Sequence, residues 1–162
     1  MSRNNSEDFR RTAFHESGHA LAAHILGRKP TLLEVFARPR EDGAHGQCLC
    51  RTGLYLNELD PSDHADRLLV GQCITVILAG PMAEYMYTCN DMVGGEDDQA
   101  AALEYLRFLQ PGAVEKDLCD FAEIAQNLLQ QLWEGVEALV KHLKKNRILS
   151  GFQISQILDA GR

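Results

Sequence analysis

His15, Glu16 and His19 stand in the pattern His-Glu-x-x-His inside residues 12–27, a stretch that reads as helix. On a helix the two histidines lie about 40° apart on one face, with Cβ atoms about 5–6 Å apart. Two imidazoles so placed can share one zinc ion, and Glu16, on the flank of that face, can reach a water on the metal. A helix with two ordinary histidines is the bland alternative. The glutamate between them favours hydrolysis, because a purely structural zinc site has no use for it.

The elements needed to hold this constellation follow from patterning. Phe14, Leu21 and Ile25 form a second, apolar face, and Gly18 permits close approach of a neighbour. Ser6 is a candidate N-cap, with Glu7 and Asp8 in the first turn, so the helix is expected over residues 7–26 behind a flexible segment at 1–8. Gly27 sits where a left-handed cap belongs and Pro30 blocks continuation. Strands are expected over residues 32–37 and 46–51, paired as a hairpin or as edges of a small sheet, with residues 38–43 between them. Asp60-Pro61-Ser62-Asp63 reads as a helix start, and the helix it opens is apolar nearly all round from Cys73 to Ala83. Pro81 predicts a kink or a junction there. Residues 90–95 read as a loop. Another helix opens at Glu96-Asp97-Asp98 and runs to Leu109. A single long helix is expected along the stripe Leu118, Phe121, Ala125, Leu128, Leu132, Val136, Leu139 and Leu143, and a short helix over 150–159.

The fold class expected is mainly α with a small β-sheet or hairpin, in one domain of 162 residues with 45% hydrophobic composition. A net charge of -7 argues against a nucleic-acid surface. The apolar run Cys73–Ala83 is shorter than the roughly 20 residues that span a bilayer, so no membrane insertion is expected. Five cysteines in no disulfide-scaffold spacing point to reduced thiols and a cytoplasmic setting. No phosphate-binding loop ending in Gly-Lys-Ser/Thr occurs, so ATP hydrolysis by that route is not expected.

A catalytic zinc takes three protein ligands and keeps one position open. His24 is about 180° round the helix from His15, and the extended pattern with a third histidine is absent. Glu84, Asp97 and Asp98 remain as candidates, the aspartates also being ordinary residues for a helix N-terminus. His45 and His64 read as surface residues. His45, Cys48 and Cys50 offer three donors with no fourth nearby, so Cys48 and Cys50 read as core-facing thiols.

The sequence resembles the peptidase domain of the FtsH family of ATP-dependent zinc metalloproteases. Ala13-Phe14-His15-Glu16-Ser17-Gly18-His19-Ala20-Leu21 is similar to that family's Ala-x-His-Glu-Ala-Gly-His-Ala. Supporting similarities follow in order at Arg38-Pro39-Arg40, Gly46, Leu78-Ala79-Gly80-x-x-Ala83-Glu84, Gly94-Gly95-Glu96-Asp97-Asp98 with Ala102, and Leu149-Ser150-Gly151, covering residues 9–158. The resemblance implies zinc held by His15, His19 and Asp98, with Glu16 as catalytic base. Asp97 falls on the family's Asn position. Val93-Gly94-Gly95 replaces the usual Thr-Gly-Ala, and the membrane helices and ATPase module are not in this sequence. The function expected is a soluble, stand-alone zinc metallopeptidase acting on unfolded or flexible polypeptide. A separate ATPase, an adaptor or further copies of the chain are the partners such a domain would take. The competing expectation is a non-catalytic, peptidase-like binding or regulatory module.

Overall fold

The computed structural model describes residues 2–28, 30–35, 45–50, 54–89 and 95–161, with side chains from residue 6 onward. The fold is mainly α-helical with one small antiparallel sheet. Helix α1 (Ser2–Ile25) begins well before the expected start near Glu7, so Ser6 lies inside it and residues 2–8 are part of the helix. Its far end is as expected. Gly27 takes φ 75°, with Arg28 N–H on the Ala23 carbonyl and Gly27 N–H on that of His24, the two bonds of a left-handed glycine cap.

Strands β1 (Pro30–Val35) and β2 (Gly46–Cys50) pair antiparallel, as the hairpin reading required. A third strand, β3 (Ile148–Ser150), pairs with β1 on its other side and gives the order β2-β1-β3. Leu33, Val35 and Leu149 are buried between this sheet and the helices. The expected strand residues 36, 37 and 51, the connection 38–43 and the loop 90–94 lie outside the described residues.

Helix α2 (His64–Thr88) starts later than expected: Asp63, not Asp60, is its N-cap, accepting from the Ala65 and Asp66 amides. It runs unbroken through Pro81, so no junction occurs there. Buried residues cover most of its circumference from Val70 to Glu84, the place of a central core helix. By length and composition alone α2 could cross a membrane, but 61% of its apolar window is buried within the fold. Helix α3 (Glu96–Leu109) packs on α2 through Ala102, Leu103 and Leu106.

The long final helix expected is two helices, α4 (Cys119–Gln131) and α5 (Trp133–Asn146), separated at Leu132 with φ -125° and ψ 24°. The break lets Trp133 stack on Phe14 of α1 at 5.4 Å, while the site of a Gly135 Cβ lies 3.1 Å from Leu21 and 3.2 Å from Leu158. An apolar repeat of three and four continues across the break, which is why periodicity alone does not reveal it. Helix α6 (Gly151–Asp159) closes the fold under a reciprocal Ser150–Gln153 cap.

Candidate metal centre

Helices α1 and α2 cross where both carry glycine. A Cβ on Gly18 would strike the Ala79 carbonyl and Ala83, and one on Gly80 would strike the His19 ring. This close crossing sets both histidines of α1 against the buried face of α2. Phe14, one turn away, stacks on Tyr87 of α2 at 4.1 Å and fixes the rotation of α1.

Each imidazole is anchored through Nδ1. His19 Nδ1 lies 2.9 Å from the Val76 carbonyl, which can only accept, so that nitrogen carries a proton and Nε2 is the one turned toward a metal. His15 Nδ1 lies 3.2 Å from Glu84 Oε2, and Glu84 in turn accepts from Arg11 Nε at 3.2 Å and Nη2 at 2.5 Å. Both rings therefore aim Nε2 at one point, with the two nitrogens 3.2 Å apart. Asp98, in the first turn of α3, brings Oδ2 within 3.0 Å of His15 Nε2 and Oδ1 within 3.6 Å of His19 Nε2. One donor atom from each of the three residues lies within 4.8 Å of the others. Ligands 2.0–2.1 Å from a tetrahedral zinc stand about 3.3 Å apart, so this donor set suits that ion. Anchoring of a ligating histidine through its second nitrogen, to a carboxylate or a carbonyl, is the usual support of such sites.

The three carboxylate candidates separate cleanly. Asp98 faces the histidines, Asp97 is exposed, and Glu84 is buried behind His15 on the side away from Nε2. His24 pairs with Asp159 at 3.0 Å on another side of α1, and His45 and His64 are exposed.

Charge in the metal-free cluster follows from these contacts. Burial disfavours a charged His15, but the Asp98 and Glu84 carboxylates outweigh it and hold the ring's pKa up at about 10. Burial likewise opposes ionisation of Asp98, and its bonds to His15 and His19 prevail, keeping it well below the usual carboxylate range. Glu16 is 8% exposed, and burial raises its pKa against the pull of the two histidines. Gly46 of β2 is the wall behind it, since a Cβ there would lie 2.6 Å from both Glu16 Cγ and Thr12 Cγ2. The Cys48 backbone lowers the Glu16 pKa slightly, against the rise from burial.

The supporting roles of four residues escape sequence reasoning: Arg11, Val76, Gly46, noted there only as a point of similarity, and Cys48, noted only as a thiol. Arg11 had a detectable signal, lying four residues before His15 on the same helical face. The other three act through backbone, which side-chain patterning does not report.

No family model matches the sequence. Over 100 residues, 62% of this chain, it is 35% identical to the ATP-dependent zinc metalloprotease FtsH of Thermus thermophilus. The chain spans 15% of that protein's length. Part of the chain is thus similar to a segment of a zinc metalloprotease.

Proposed function

We propose that the chain is a zinc-dependent peptidase in which His15, His19 and Asp98 hold the ion and Glu16 is the general base. The observation that carries this reading is the convergence of three donors of zinc type beside a buried glutamate. Zinc bound there would lower the pKa of a water to about 7 and polarise a peptide carbonyl. Glu16, with its pKa raised by burial, is suited to take the proton of the attacking water and return it to the leaving amine. Val76 and Glu84 hold the imidazoles in the tautomers that metal binding needs. The outer edge of β2 has no partner strand among the described residues, and an extended, flexible polypeptide could add to it by main-chain hydrogen bonds.

The burial of Glu16 against Gly46 favours a second reading, a peptidase-like module that binds and does not cleave. One experiment separates the two: zinc content and casein cleavage for the wild type and Glu16→Gln. The peptidase reading expects about one zinc per chain in both proteins and cleavage in the wild type alone. Equal cleavage by both removes Glu16 from the mechanism, and zinc without any cleavage supports the binding module.

A further inference from the structure

Beside the site lies a thiol pair that peptide hydrolysis does not use. Cys48 and Cys50 are two residues apart on β2, so strand alternation puts them on one face with Gly46. Gly46 rests on Thr12 and Glu16, so that face looks onto the metal helix. The two sulfurs are 3.6 Å apart, and both residues are only partly buried.

We propose that Cys48 and Cys50 are a peroxide-oxidisable dithiol that closes to a reversible disulfide within β2 and thereby shifts that strand against Glu16.

Three features support it. The sulfurs already touch, so bond formation needs only a small approach. Cα atoms two apart on an extended strand are about 6.5 Å apart, near the upper end of what a disulfide bridges, so closing the bond must contract β2 locally. The ladder is already irregular at that place: Cys50 pairs with Pro30 and Leu49 with Leu32, leaving Thr31 as an extra residue, and Pro30 has no N–H to give. Cys50 is therefore loosely held and can move. The Cys48 thiol lies against the Cys50 sulfur, and Cys50, at the irregular end of the ladder, is the freer of the two to act as first nucleophile.

The chemistry balances with hydrogen peroxide as oxidant. The Cys50 thiolate attacks one peroxide oxygen, the O–O bond breaks, and the departing hydroxide takes a proton to leave as water. The Cys48 sulfur then attacks the Cys50 sulfenic sulfur, the S–O bond breaks, and a second water leaves with the Cys48 proton. Two thiols lose two electrons and the peroxide gains them. Contraction of β2 moves the strand that walls Glu16 at Gly46. The effect on hydrolysis rests on the peptidase reading above; the thiol chemistry does not.

The test uses the full, zinc-loaded chain carrying Cys89→Ser and Cys119→Ser, which removes the two exposed cysteines. The protein is treated with hydrogen peroxide, alkylated with iodoacetamide and digested with trypsin, which leaves both thiols in the peptide 41–51. The expected product is that peptide lighter by two hydrogens and unalkylated, and alkylated at both cysteines after dithiothreitol. Casein cleavage should fall about 100-fold on oxidation and return on reduction, as for a misplaced catalytic group. Cys50→Ser should keep its activity through the same treatment. Free alkylation of both thiols after peroxide, or separate sulfinic acids in place of a disulfide, overturns the proposal. A disulfide that leaves cleavage unchanged overturns its link to Glu16. Absence of cleavage before oxidation counts against the peptidase reading, and the peptide mass still decides the dithiol.

Discussion

His19 donates Nδ1–H to the Val76 carbonyl at 2.9 Å, and this bond determines which nitrogen is left for a metal. The ring is held there from below by Gly80, one turn further along α2, where a Cβ would occupy the ring's own space. Gly80→Ala should therefore push the imidazole off its anchor. Alanine's helix propensity gains up to about 1 kcal/mol, but overpacking costs about 1–3 kcal/mol, so net destabilisation is expected. Zinc affinity should fall about 10–100-fold, the usual penalty for a lost anchor of a ligating histidine. Chelator competition measures it, and wild-type affinity would contradict the proposed role of His19.

Glu84 should behave as a support for His15 and not as a ligand. Glu84→Gln keeps an acceptor for Nδ1–H but loses the negative charge, so zinc affinity should fall by about tenfold; Glu84→Ala should lose more, about 100-fold. A drop as large as that of Asp98→Ala would place Glu84 on the metal. Circular dichroism on each variant checks that Arg11, which also pairs with Glu84, has not taken the fold with it.

Asp97 and Asp98 are adjacent, and helical geometry sends them in different directions. Asp98→Ala should abolish tight zinc binding, with a loss beyond about 100-fold, whereas Asp97→Ala should stay within about twofold of the wild type. Isothermal titration on the two variants in parallel decides between them, and the reverse order would overturn the assignment.

The pH dependence of the cluster has two opposite signs. Without metal, His15 is held up at about 10, against about 6.5 for a free imidazole. Its contribution to stability is complete below about 6.5 and is lost as pH rises through about 10, so melts in chelator should show declining stability from neutral pH upward. Zinc must displace that same proton. Its apparent affinity should rise over this range, by about tenfold per pH unit for one proton released. A pH-independent affinity between 7 and 9 would show that His15 binds no proton the metal has to remove.

Much of this arrangement was legible in sequence because it rests on side-chain spacing. His15, Glu16 and His19 come from one helical turn, Gly27 from a cap that needs positive φ, and the core helix α2 from its apolar run. What escaped rests on tertiary context. The break at Leu132 is hidden by an uninterrupted apolar stripe, and Asp63 competes with Asp60 and Ser62, which would cap equally well in isolation. The strand β3 is only three residues long, too short to show any alternation, and exists because β1 offers it an edge. Spacing within one segment left Glu84, Asp97 and Asp98 open and the family resemblance singled out Asp98; the packing of α2 and α3 against α1 puts Asp98 opposite both histidines and Glu84 behind His15.

The position of β3 in the sheet bears on when the fold can be completed during synthesis. Strand β1 follows directly on α1, yet one of its edges is filled by Ile148–Ser150, and Val35 N–H bonds to the Arg147 carbonyl at 3.0 Å. A nascent chain can therefore form α1 and pair β1 with β2 early, but β1 waits with an open edge until residues near 150 leave the ribosome. Pairings so distant in sequence are slow to close. The wall behind Glu16 is attached to that same sheet, so a truncated translation product would carry His15, Glu16 and His19 without the completed sheet beside them.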